Sequence, residues 1–170
     1  AGNWKMNGGL SFVQDYIETF KSSWEALSLG QYSDLSIVLI PPAILIPDVK
    51  ASIEQSGLNI LIAGQNVSAY ESGAYTGETS ALMLKDFSCS ASLVGHSERR
   101  SLFGDTDEVI IKKTKQLLSN GLEVMLCLGE SLDEREKGLA ENVVRSQLES
   151  VLGALSLQEC SSLSLAYEPV

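Results

Sequence analysis

The 170-residue chain predicts an α/β protein built around a parallel sheet. About six apolar runs end near Trp4, Ile40, Ala63, Val94, Leu128 and Tyr167, and helical patterns fill the stretches between them. The punctuation also repeats, as strand, loop, helix, glycine, strand. Right-handed crossovers wind such units either into a barrel or into an open doubly wound sheet, and periodicity admits both.

Each element has its own signal. Leu10, Val13, Ile17, Phe20, Trp24 and Leu27 follow steps of three and four, which places them on one helical stripe ending at Gly30, too short for a coiled-coil seam. Residues 35–40, rich in Ile, Val and Leu and closed by Pro41-Pro42, read as a buried strand. A helix over about 43–55 stops at Gly57, suited to the left-handed conformation, and 58–63 follows as a strand. A second copy of this grammar ends at Asn120-Gly121 and feeds a strand over 122–128. Ser131 and Glu134 have capping-box spacing, and Asp105 with Glu108 resembles an acidic helix opening. The long connection over 65–78, with Gly73, Gly77, Tyr70 and Tyr75, has neither period and reads as a binding or subunit-contact loop rather than a bland one.

Composition narrows the function classes. At 44% hydrophobic, the chain has enough apolar residues for one sizeable core. Twelve Lys and Arg against 22 Asp and Glu leave a net charge of −10, which argues against nucleic acid and anionic membrane surfaces. No apolar stretch reaches a membrane span, and the N-terminus lacks a signal-peptide pattern, so a soluble cytoplasmic protein is expected. Cys89, Cys127 and Cys160, odd in number and without C-x-x-C spacing, read as reduced thiols. The Asn66-Val67-Ser68 sequon is then accidental.

Three unlike ionisable groups stand just past apolar runs: Lys5, His96 and Glu168. On parallel strands they would sit at the carboxyl edge of the sheet, where α/β folds place their sites. His96, the only histidine, opens a helix-competent S-E-R-R-S segment, whose dipole favours a neutral ring able to donate one hydrogen bond. Its bland alternative is a structural histidine. Lys5, flanked by Trp4 and Met6, suggests a positioned ammonium, or else a snorkelling surface lysine. Asn3 and Asn7 add polar groups nearby. Glu168, between Tyr167 and the strand-stopping Pro169, suits either a general base or a salt-bridging glutamate, with Glu98 and Glu130 as rival carboxylates. The string Gly95-His96-Ser97-Glu98-Arg99 fails as a nucleophile elbow because Arg99 replaces the final glycine. No nucleotide-loop or metal motif is present, so neither a cofactor nor a metal is expected.

Several strings together, G-N-W-K-M-N (2–7), G-Q-N-V-S (64–68), G-A-Y-T-G-E (73–78), V-G-H-S-E-R-R (94–100), C-L-G-E (127–130) and A-Y-E-P-V (166–170), resemble the triosephosphate isomerase family from end to end. That family is itself a worked example of paired acid/base tuning. The resemblance implies a (β/α)8 TIM barrel and interconversion of dihydroxyacetone phosphate with D-glyceraldehyde 3-phosphate, without cofactor or metal. It implies Glu168 as the base, neutral His96 as the electrophile, and Lys5 with Asn3 as the groups that hold the oxyanion and the phosphorylated triose. It further implies a homodimer in which Thr76, Tyr75 and their loop reach the second subunit.

Family barrels run to roughly 250 residues. The expectation is therefore a single domain over residues 1–170, truncated at both ends, running from the tail of strand 1 to the end of strand 6. The mobile lid would begin at Pro169-Val170, and the bare chain would turn over substrate negligibly without it. A catalytically inactive barrel fragment or interaction module, and another phosphosugar enzyme on the same barrel, are the competing readings.

Overall fold

A computed structural model describes every residue except Ser33, Pro169 and Val170, so the hinge expected at Pro169-Val170 lies outside the described residues. The elements run β1 (Gly2–Asn3), α1 (Leu10–Ala26), β2 (Val38–Ile40), α2 (Ile46–Ser56), β3 (Leu61–Gly64), α3 (Ala81–Asp86), β4 (Ala91–Val94), α4 (Ser97–Phe103), α5 (Asp107–Ser119), β5 (Glu123–Leu128), α6 (Leu132–Glu136), α7 (Ala140–Leu152), α8 (Leu157–Cys160) and β6 (Leu163–Tyr167). This is the strand and helix alternation expected of an incomplete (β/α)8 barrel. The chain divides into two compact units, Ala1–Gln65 with Leu84–Ser90, and Asn66–Met83 with Ala91–Val170.

In the first unit β2 pairs in parallel with β1 and β3, with Gly2 beside Leu39 and Val38 beside Leu61. Val13 and Ile17 of α1 and Ile46, Val49 and Ile53 of α2 are buried, along with Leu39, Ile40, Ile62 and Ala63 of the strands. Each fully buried aliphatic side chain of this kind stabilises by about 1.5–3 kcal/mol. The predicted stripe of α1 is longer than the face it buries, since Leu10 and Leu27 are 63% and 66% exposed. Its flank instead carries Phe12, Tyr16, Phe20 and Trp24, four residues apart, with successive ring centroids 5.7, 6.3 and 6.0 Å apart. β2 starts three residues later than expected, and Leu35 is exposed, although the Ile37 carbonyl still accepts the Leu61 N–H at 2.9 Å. The helix of 43–55 is a 3₁₀ turn (Ala43–Leu45) leading into α2, which ends on left-handed Gly57 at φ 72°.

In the second unit β5 pairs in parallel with β4 and β6, with Ala91 beside Glu123 and Val124 beside Leu163. α5 packs on β4 and β5 and buries Ile110 and Leu117, and α7 packs on α5 and β5 and buries Val151. Ser131 and Glu134 form the expected reciprocal cap on α6. The start of α5 differs from the sequence reading. Thr106 caps it by accepting the Val109 N–H, while Asp105 turns inward to a buried ion pair. Ser156 and Glu159 form a second capping box, opening α8, a helix of four residues and so too short to carry a helical period in the sequence.

Candidate active site

Chemistry gathers at strand ends in both units. In the first, Lys5 follows β1 with φ 52°, a left-handed conformation costing a side-chain-bearing residue about 1–2 kcal/mol. Neighbours over-determine it. Asn3 Oδ1 accepts the Lys5 N–H at 2.9 Å, and Gln65 Nε2 donates to the Lys5 carbonyl at 2.9 Å and to that of Ile40 at 3.0 Å. Trp4 is buried edge-on against Phe12 and Tyr16, and its carbonyl accepts from Asn7 Nδ2 at 2.8 Å. Such strain persists because these surrounding hydrogen bonds fix it. Asn3 and Asn7 thus both act on the backbone around Lys5, whose side chain is exposed. Gln65 lay within a family-like string, but only the structure shows its hydrogen bonds.

In the second unit His96 follows β4 through left-handed Gly95, at φ 72°. A Cβ there would press on the Cys127 carbonyl oxygen at 3.2 Å and on Arg100 Nη2 at 3.1 Å. Arg100 secures the same peptide, donating from Nε to the Gly95 carbonyl at 2.9 Å and from Nη1 to Asp107 at 2.6 Å. The His96 ring, 4% exposed, accepts the Glu98 N–H on Nδ1 at 3.3 Å. A ring nitrogen that accepts carries no proton, so the neutral ring bears its proton on Nε2. That Nε2 is buried and has no hydrogen-bond partner among the described residues. It lies 3.3 Å from Glu168 Oε2, close in distance but out of line for a hydrogen bond. A buried donor without a protein partner is a group that a substrate oxygen or a water can satisfy.

Glu168 is carried one residue past β6. Its N–H donates to the Leu128 carbonyl at 2.9 Å, and its carbonyl oxygen sits so close to Gly129 that a Cβ there would collide with it. Its carboxylate also helps hold the buried Cys127 thiol up at about 12, second to burial itself. The rival carboxylates are placed differently. Glu130 has a fully buried side chain that accepts the Tyr167 hydroxyl at 3.1 and 3.2 Å and meets Arg135 at 3.3 Å, which occupies it structurally. Glu98 sits on the far side of the ring, 3.7 Å from Nδ1.

The long loop is ordered by its own contacts. Ser68 N–H donates to the Thr79 carbonyl at 2.8 Å, and Tyr70 and Tyr75 stack face to face with centroids 4.0 Å apart. Thr76 is exposed beside them. Cys89, Cys127 and Cys160 are all unpaired. Among the described residues no helix is long and apolar enough to cross a membrane, and no three His, Cys, Asp or Glu side chains group as metal ligands.

The family model described as triosephosphate isomerase matches residues 1–170. The chain is 46% identical over 170 residues to a triosephosphate isomerase of Marinobacter nauticus, with all of this chain and 65% of the relative covered. It is 40% identical over 171 residues to that of Hydrogenovibrio crunogenus and 43% identical over 170 to that of Delftia acidovorans, again covering all of this chain and 65% of each relative. The chain thus spans about two thirds of the length of these curated relatives, and it belongs to the triosephosphate isomerase family.

Proposed function

We propose that the protein interconverts dihydroxyacetone phosphate and D-glyceraldehyde 3-phosphate, a step of glycolysis and gluconeogenesis, by proton transfer through an enediolate. The observation that carries this reading is the His96 Nε2–H, without a hydrogen-bond partner among the described residues, beside the Glu168 carboxylate, 3.3 Å away. A carbon next to a carbonyl is a weak acid, so its deprotonation needs a base and an electrophile in the same transition state. Glu168 takes the proton from C1 of the ketose while the C2 carbonyl oxygen gains the charge. His96 Nε2–H meets that oxygen and, through Nε2, moves a proton between the two enediolate oxygens. Glu168 then returns its proton to C2, which yields the aldose and restores the carboxylate.

Asn3 and Lys5 bind the substrate in this scheme. The lysine supplies positive charge for phosphate and oxyanion in a protein whose net charge is −10. The same reading makes the protein a cytoplasmic homodimer in which Tyr75 and Thr76 contact the partner subunit. The exposed, internally stacked loop and the three unpaired cysteines support it. The test is a coupled isomerase assay on the full-length protein. Glu168→Gln should lower kcat by about 10²- to 10⁴-fold. Turnover unchanged by that substitution would move the base to Glu98, since Glu130 is structurally committed.

A further inference from the structure

We infer that Gln147, on α7, is a positioning residue that aims Glu168 through the peptide of Gly129; this rests on the reading of Glu168 as the base. Gln147 grips both polar groups of Gly129. Its Oε1 accepts the Gly129 N–H at 3.0 Å, and its Nε2 donates to the Gly129 carbonyl at 3.0 Å. Only a primary amide offers an acceptor and two donors in one uncharged planar group, and Asn would be one methylene short. Gly129 has just left β5, and this amide takes the place of a neighbouring strand for its backbone groups.

The opposite link of the chain is steric. Gly129 has no Cβ, and the Glu168 carbonyl oxygen fills the space where one would stand. The Glu168 N–H meanwhile donates to Leu128 at 2.9 Å. The backbone of Glu168 is therefore laid on residues 128 and 129, and residue 129 is fixed by Gln147. A shift of the Gly129 peptide toward Glu168 presses on the backbone that carries the carboxylate. Misplacement of a reacting group by about 1 Å can cost about 10²-fold in rate.

Gln147→Met removes both hydrogen bonds, and Gln147→Glu keeps an acceptor but loses the donor. In the full-length protein both should lower kcat by about tenfold or more with KM changed by less than about twofold. Gly129→Ala should produce the same split, and the double variant Gly129→Ala/Gln147→Met should cost no more than the worse single one, because the two act along one path. The ¹H–¹⁵N resonance of Glu168 should move in Gln147→Met whether or not the protein is active. An unmoved Glu168 resonance, an unchanged kcat or additive losses would overturn the proposal. Failure of both Gln147 variants to fold would assign the residue to stability and overturn it equally. A wild-type protein without isomerase activity would instead refute the assignment of Glu168 as base.

Discussion

Asp105 accepts the ammonium of Lys113 at 2.6 Å, with the two side chains only 5% and 4% exposed. Arg99 donates to the same carboxylate at 3.0 Å, and Lys113 also donates to Asn66 at 2.8 Å. The pair thus ties the segment before α5 to α5 itself, to α4 and to the start of the long loop. Burial alone would raise the Asp105 carboxyl, but the hydrogen bonds from Lys113 and Arg99 outweigh it and hold it below its ordinary 3.8. For Lys113 burial dominates and lowers the ammonium, with Asp105 opposing.

The sign of the acid response follows. A carboxyl lowered by folding stabilises the protein above its unfolded value, and that contribution fades as pH falls below 3.8 towards the folded one. Asp105→Ala leaves Lys113 buried without its carboxylate and should cost about 3–5 kcal/mol near neutrality. Urea denaturation of both proteins from pH 7 downward should show the gap narrowing as pH falls through that window. A gap independent of pH would contradict the role given to the pair.

Gly95→Ala should weaken both fold and site. The left-handed backbone at φ 72° adds about 1–2 kcal/mol of strain, and the new Cβ would press on the Cys127 carbonyl. Displacement of the strand end carries His96 with it. Thermal melting and the isomerase assay should therefore fall together, and normal activity in a destabilised variant would show that His96 tolerates the shift.

Tyr167→Phe removes a hydroxyl from the fully buried Glu130 carboxylate, which keeps Arg135 at 3.3 Å. The expected cost is about 1–3 kcal/mol. Pairing it with Glu130→Gln in a double-mutant cycle should recover part of the loss, since a neutral amide needs less compensation. Strict additivity would mean that the two side chains do not interact.

Thiol reactivity offers a check that needs no substrate. Burial pushes Cys89 up to about 11 and Cys127 up to about 12. Alkylation at pH 8 followed by mass spectrometry should thus label half-buried Cys160 first. Glu168→Gln removes a negative charge that helps hold Cys127 up, so Cys127 should label faster in that variant. An unchanged rate would separate the thiol from the carboxylate.

Local chemistry determined a large part of this protein. The turn at Gly57, the reciprocal cap of Ser131 and Glu134 and the strand Leu163–Tyr167 all depend on residues within a few positions of one another, and all were legible in the sequence. The placement of Lys5, His96 and Glu168 just past strands was legible too, because an ionisable group after an apolar run is a local pattern. Tertiary structure decided what depends on partners distant along the chain. It turned Asp105 from a helix opening into half of a buried ion pair, committed Glu130 to Tyr167, and brought Gln147 onto Gly129 from 18 residues away. Those outcomes follow from desolvation, which obliges every buried polar group to find a partner but leaves the choice of partner to the packing.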